Sequence, residues 1–239
     1  MDRRNRINIK AIETELLDYE DDLRRGQMKY TRRAFDLIPQ IKSPRILDIG
    51  CGSGVPTMEL ARMTDGRITA VDIDRSQLTR LSAAARKAGF QNRLKIMEQS
   101  MSELNFNDDS FDIIWAEGSI ATIGFEKGIS EWRRFLKTGG FLVVHDDRGE
   151  IRDKVAAIAL SGYELVAKFM LGTKIWRDSY YDPLEDKLKE IRGRFPASRE
   201  LDMLLEKEDR QIEGLVKNPL RYRSVFFIMQ KIANSGIHN

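Results

Sequence analysis

One cysteine and two histidines are all that the 239-residue chain offers of those types. A lone thiol, Cys51, excludes an internal disulfide and fits a reducing, cytoplasmic setting. So few imidazoles and thiols leave no spacing of the kind that holds zinc, and no metal site is expected. No apolar run is long enough to cross a bilayer. The opening residues, MDRRNRINIK, are polar and basic, without the apolar stretch of a secretion signal. Charge of one sign is scarce too: 40 basic against 37 acidic side chains leave a net of +3. That balance argues against a polyanionic partner, and the pairs Arg24-Arg25, Arg32-Arg33 and Arg133-Arg134 read as solvated helix faces. Repeats and low-complexity tracts are absent. What remains is a chain that is 41% hydrophobic, enough to pack the core of one large domain.

The most informative stretch is RILDIGCGSG, Arg45 to Gly54. Ile46-Leu47-Asp48-Ile49 reads as a buried strand. Gly50, Gly52 and Gly54 then make a sharp turn where backbone can approach a ligand without a Cβ in the way. Helical sequence follows from Thr57 to Met63, so the turn lies at a helix N-terminus, with its N–H groups available to an anion or a polar ligand. Cys51 sits inside this turn, either as a reactive thiol or as a small residue filling tight space. A nicotinamide-binding Gly-x-Gly-x-x-Gly does not fit: its third glycine would fall on Val55 or Thr57.

Asp72 ends the next short strand, Arg67 to Val71, and lies 22 residues beyond Gly50. That spacing places a strand-end carboxylate where a ribose presents its two hydroxyls, and a carboxylate accepts from both. The alternative is a helix cap. Asp74 is equally placed for that role and leaves Asp72 to a ligand.

Strands and helices alternate from Pro44 onward. Leu94 to Met97 and Phe111 to Trp115 read as strands, Phe125 to Leu136 as a helix, and Phe141 to Val144 as a strand after Gly139-Gly140. Such alternation predicts a doubly wound α/β fold with a mostly parallel sheet, whose ligands sit beyond the carboxyl ends of the strands. Asp48, Asp72, Glu117 and His145 all fall at strand ends and predict one convergent site. Two helices from about Ile9 to Gln40, broken at Gly26, form an N-terminal arm. After Asp147 come a helix over Val155 to Leu160, a strand over Tyr163 to Leu171, charged helical sequence over Asp182 to Lys217 broken at Pro183 and Pro196, and a last apolar strand over Ser224 to Gln230. The tail from Asn234 reads as frayed.

DIGCGSG, VDID, MSELNFNDDSFDIIWAEGSI and LKTGGFLVV together resemble the class I S-adenosylmethionine-dependent methyltransferases, nearest to the small-molecule, ubiquinone-biosynthesis-like group. The resemblance is specific over Ser43 to Asp147. Asp48, Gly50, Gly52 and Gly54 fill every fixed position of the family's first motif. It implies S-adenosylmethionine as cofactor, a seven-stranded sheet with an antiparallel last strand, and a helical insertion before that strand. It places Ser100 and Met101 at the adenine, where the family often has Asp-Ala, and Ile73 against the adenine face. It places Glu117 at the methionine end and the methyl acceptor. The expected organisation is a single domain over 1–239: a helical arm over 1–42, a cofactor-binding core over 43–147, and 148–239 completing the sheet and covering the substrate side.

The expected reaction is in-line methyl transfer to a small-molecule acceptor, with RNA or protein methylation, or a non-catalytic binding module, as alternatives. Positioning can supply much of the rate. A base is needed only if the acceptor must lose a proton. His145 is the histidine near the site and Glu117 is the other candidate, against structural roles for both. Trp176, Tyr180 and Tyr181 either line the acceptor side or anchor neighbouring helices.

Overall fold

The computed structural model describes residues 8–146 and 149–233, so Asp147, His238 and the tail 234–239 lie outside the described residues. The chain divides into two compact units. One holds Met28–Met170 and the chain from Ser224 onward; the other holds the chain up to Gln27 together with Leu171–Arg223.

The first unit is built on a sheet. Its strands are β1 (Arg45–Ile49), β2 (Arg67–Asp72), β3 (Leu94–Glu98), β4 (Phe111–Glu117), β5 (Leu136–Asp146), β6 (Tyr163–Leu171) and β7 (Ser224–Lys231). Among the described residues these seven lie in the order β3-β2-β1-β4-β5-β7-β6. Strands β1 to β5 pair in parallel, and β7 runs antiparallel to β5. The strand order reverses between β1 and β4, the switch point at which sheets of this kind open a crevice for ligands.

Period-two alternation sorts the strand residues onto two faces. Leu47, Ile49, Ile114, Ala116, Leu142, Val144 and Phe227 pack on one face with Phe125, Ile129, Trp132 and Ile158. Those four come from helices α5 (Phe125–Trp132) and α6 (Ile151–Leu160). The opposite face receives Thr31 of α2 (Met28–Asp36). Helix α3 (Val55–Met63) follows β1, and α4 (Arg75–Lys87) follows β2. Asp74 caps α4, its carboxylate accepting from the N–H groups of Ser76 and Gln77.

Several boundaries differ from the sequence reading. Helix α5 stops at Trp132, a 3-10 turn covers Arg133–Phe135, and β5 already begins at Leu136. Gly139 and Gly140 therefore lie inside the strand. They absorb a bulge: Phe111 pairs with Leu136 but Ile113 with Phe141. A Cβ on Gly140 would stand 2.8 Å from the Asp112 carbonyl oxygen. Pro183 does not break its helix either. It lies in the first turn of α8 (Asp182–Arg194), where a missing N–H costs nothing, and a π-helical turn over Arg177–Tyr181 leads into it.

The second unit is helical: α1 (Ile9–Gly26), α7 (Thr173–Trp176), α8 and α9 (Arg199–Lys217). Ile12, Leu16, Leu184, Leu188, Ile191, Leu201 and Leu205 form its core at the three- and four-residue spacing of buried helix stripes. The break after Gly26 leaves α2 with the sheet.

Candidate functional site

β1 passes into α3 through the glycine turn, and the three glycines do different things. All have left-handed backbone, with φ of +71° at Gly50, +52° at Gly52 and +81° at Gly54. A Cβ at Gly50 would collide with the Ser119 side chain at 2.4 Å, and one at Gly54 with Leu81 at 2.2 Å. These two glycines serve packing within the protein. At Gly52 no atom lies within 4 Å of the Cβ position, so this glycine alone faces open space. The turn is pinned from behind, where the N–H groups of Gly50 and Cys51 donate to the Val71 carbonyl at 2.8 and 3.0 Å. Cys51 is buried, and burial, with the nearby charges of Asp48 and Asp72, raises its thiol pKa. The protonated thiol is a poor nucleophile, which favours the reading of a small residue filling the turn.

Asp72 ends β2 beside the turn. One carboxylate oxygen accepts from Gly52 N–H at 2.8 Å and the other from Asp74 N–H at 2.9 Å. Each oxygen keeps a further lone-pair site for an outside donor. Ile73 follows with 71% of its surface exposed, an apolar face beside that carboxylate. On the next strand connection, Ser100 Oγ accepts from Ser102 N–H at 3.3 Å. The Met101 carbonyl accepts from the Trp132 indole at 3.2 Å.

Strand register brings the remaining polar residues onto one face. Asp48 pairs with Ala70 and with Trp115, and Glu117 pairs with His145. Paired residues share a face, so Asp48, Asp72, Glu117 and His145 point to the same side at the carboxyl ends of four neighbouring strands. Asp48 is fully enclosed and accepts from the Thr57 hydroxyl at 2.5 Å. Burial, reinforced by the charge of Asp72, raises its carboxyl to a pKa of about 7 against the pull of Thr57. The Thr31 hydroxyl stands 3.1 and 3.0 Å from the two oxygens of Glu117, and the Trp115 indole N–H donates to one of them at 3.0 Å. Burial also raises Glu117 to about 7, with Trp115 and Thr31 opposing and Asp48 adding to the rise.

His145 is held differently. Its Nε2 lies 2.8 Å from Ser224 Oγ, and its ring stacks on Phe226 at 4.2 Å. Burial, helped by the charge of Lys154, lowers its pKa to about 3, so the imidazole is neutral at physiological pH. Lys154 itself pairs with Asp146 at 2.7 Å.

Trp176, Tyr180 and Tyr181 lie in the helical unit and pack with its core. Tyr180 meets Tyr181 edge-on at 5.1 Å, and its hydroxyl accepts from Arg24 at 3.3 Å. Thr31, Thr57 and Trp115, which grip the carboxyls of Glu117 and Asp48, escaped the sequence reading. Only Thr57 carried a local signal, as a hydroxyl in the first turn after the glycines.

A mostly parallel sheet with an antiparallel β7, and a glycine turn leading from its first strand into a helix, define a Rossmann-like fold. Comparison with known proteins makes the class specific. Residues 46–140 match the methyltransferase-domain family. A methyltransferase, GfsG, of Streptomyces halstedii is 30% identical over 146 residues, covering 60% of this chain and 52% of that protein. The 27-O-demethylrifamycin SV methyltransferase of Amycolatopsis mediterranei is 32% identical over 133 residues, covering 54% of this chain and 49% of that protein. The chain thus spans about half the length of these relatives. The [4+2]-cyclase SpnF shares the fold with a TM-score of 0.69 at 19% identity, covering 86% of this chain and 82% of that one. Over residues 46–140 the chain is thus similar to methyltransferase domains, and both of these relatives are methyltransferases. Among the described residues no helix is long and apolar enough to cross a membrane.

Proposed function

We propose that this protein transfers a methyl group from S-adenosylmethionine to a small-molecule acceptor at the carboxyl ends of β1, β2, β4 and β5. The observation that carries the reading is the junction of Gly52 and Asp72. A glycine that faces open space donates its N–H to a strand-end carboxylate with acceptor sites to spare. Asp72 would receive the ribose hydroxyls, Ile73 the adenine face, and the Ser100-Met101 backbone the adenine edge. Asp48 and Glu117 would line the methionine end. The cofactor, when bound, supplies an electrophilic methyl group on a sulfonium.

The chain's own contribution is position and exclusion of water. Glu117 faces the acceptor side with a carboxyl that titrates near neutrality, whereas His145 is too weak a base to take up a proton there. If the acceptor loses a proton, Glu117 is the residue placed to accept it. His145 instead holds the start of β7 through Ser224. The near balance of charge and the similarity to a rifamycin-modifying methyltransferase support a small acceptor over RNA.

Gly52→Val tests the cradle. The variant should fold, by circular dichroism, and lose S-adenosylmethionine binding in calorimetry; retained affinity would remove the cradle. Labelled cofactor offered with a metabolite pool and total RNA tests the acceptor. Label confined to RNA, with steep salt dependence, would overturn the small-molecule reading.

A further inference from the structure

Glu117 and Asp48 share an unusual condition: both lie on the ligand-facing side of the sheet, Asp48 buried and Glu117 half-buried, and their hydrogen-bond partners are neutral. The partners are the Thr31 hydroxyl and Trp115 indole for Glu117, and the Thr57 hydroxyl for Asp48. The charged and titratable groups around Glu117 do not change this. From β1 comes Asp48, which is itself acidic and enclosed. From β5 comes His145, neutral and paired in register with Glu117. The cations of α2 are engaged elsewhere. Arg32 is bonded to Glu59 at 2.5 Å, Arg33 lies over the Phe169 ring at 4.2 Å, and Lys29 over the Tyr30 ring at 5.0 Å. Among the described residues no ion pair reaches either carboxyl.

A carboxyl in this condition holds its proton until a cation arrives. S-adenosylmethionine is cationic at its sulfonium; its demethylated product keeps the ammonium and loses that sulfonium charge. We propose that Glu117 is the residue that distinguishes the sulfonium cofactor from its thioether product, keeping its proton in the free protein and releasing it to solvent as a cationic ligand is seated. The step breaks only the O–H bond of Glu117 and forms no covalent bond. It rests on the cofactor reading above. It gives the site a means of favouring substrate over spent product, since an ionised Glu117 is rewarded only while the sulfonium charge is present.

The experiment is calorimetric titration of the whole protein with S-adenosylmethionine and with S-adenosylhomocysteine, in two buffers of different ionisation enthalpy. At pH 7 the sulfonium ligand should release roughly half a proton per site, and the product ligand clearly less. Affinity for the sulfonium ligand should rise with pH through neutrality and level off, with a flatter curve for the product. Glu117→Gln should abolish the release. It should weaken the sulfonium ligand by about tenfold and change the product by much less. Thr31→Val gives a second route that keeps the carboxyl. It removes a donor that favours the ionised form, so the midpoint of the affinity curve should move to higher pH, and Thr31→Ser should restore it. Equal proton release by both ligands overturns the proposal, as does an unchanged affinity ratio in Glu117→Gln or an unmoved midpoint in Thr31→Val. Failure of wild type to bind either ligand overturns the cofactor reading itself.

Discussion

Two strand-end carboxyls of the sheet unit, Asp48 and Glu117, are treated in the opposite way to the carboxylates of the helical unit, although Asp146 and Glu59 of the sheet unit do pair with cations. In the sheet unit, Asp48 and Glu117 meet only neutral hydroxyl and indole donors, and burial raises both to about 7. In the helical unit, carboxylates meet cations. Glu15 is bonded to Arg194 and Lys187 and is lowered to about 2, and Arg24 bridges the enclosed Glu20 and Asp21. Glu208 is a partial exception, raised by burial despite Lys207 nearby. The contrast separates acids paired with cations from acids whose partners are all neutral. Pairing a carboxylate lowers the free energy of the folded chain, whereas enclosing one without a cation raises it above neutral pH. The sheet unit accepts that cost at the ends of its central strands, where the glycine turn also lies.

The largest expected effect tests whether the helical unit is held by packing or by its charges. Leu188 is 1% exposed in that unit's core. Leu188→Ala should cost about 2–5 kcal/mol. Amide exchange should quicken in α1, α8 and α9 while β1 and β4 keep their protection. Equal acceleration in β1 and β4 would merge the units into one cooperative block.

Glu117→Gln addresses the cost of an acid enclosed without a cation. The folded-state pKa of about 7 lies above the ordinary glutamate value of 4.5, so the folded protein holds this proton more tightly than the unfolded chain. Below the unfolded value both states are protonated and the group is neutral to stability. As pH rises from there through 7, the unfolded chain releases the proton first, and stability falls. The glutamine variant should therefore match wild type near pH 4 and exceed it at pH 8 by up to roughly 3 kcal/mol. Denaturant unfolding at the two values reads this directly. A variant less stable at pH 8 would show that Glu117 serves the fold.

Asp72→Ala should weaken S-adenosylmethionine by about 1–3 kcal/mol, the range of a lost charge-assisted hydrogen bond. It also removes the acceptor for Gly52 N–H, so part of the loss will come from a looser turn. Equal affinity in wild type and variant would take Asp72 out of the cofactor site.

The glycine turn and the strand-end acids were legible in the sequence because their signals are local. Spacing fixes Gly50, Gly52, Gly54 and Asp72 within one strand-turn-helix-strand unit, and alternation assigns a face to each strand residue. The different duties of the three glycines were hidden, since they depend on Ser119 and Leu81, which arrive from elsewhere in the chain. Thr31 was hidden for the same reason: 86 residues separate it from the carboxylate it grips. Gly139-Gly140 and Pro183 read as breaks because glycine and proline usually punctuate. Here the glycines accommodate a bulge and the proline occupies a first helical turn. The grouping of the chain up to Gln27 with Leu171–Arg223 left no local trace. It follows from apolar stripes on α1, α8 and α9 that find one another only in three dimensions.

The smallest expected effect lies on the paired side of the comparison. Glu15 accepts from Arg194 at 2.7 and 2.8 Å and lies 2.6 Å from Lys187. The Arg194 hydrogen bond is the main cause of its low pKa, followed by that of Lys187. A carboxyl lowered in the folded state contributes stability above its unfolded value of 4.5 and loses that contribution as pH falls through about 2. Its side chain is 33% exposed, so solvent screens much of the interaction. Glu15→Gln should therefore cost only about 0.5–1 kcal/mol at pH 7. The loss should shrink in high salt and vanish near pH 2. Its pH course runs opposite to that of Glu117→Gln, because one variant removes a favourable ionised state and the other an unfavourable one. Paired denaturant titrations at pH 4 and pH 8 make the comparison directly. If both variants lost stability at pH 8, cation pairing would not be what separates the acids of the two units.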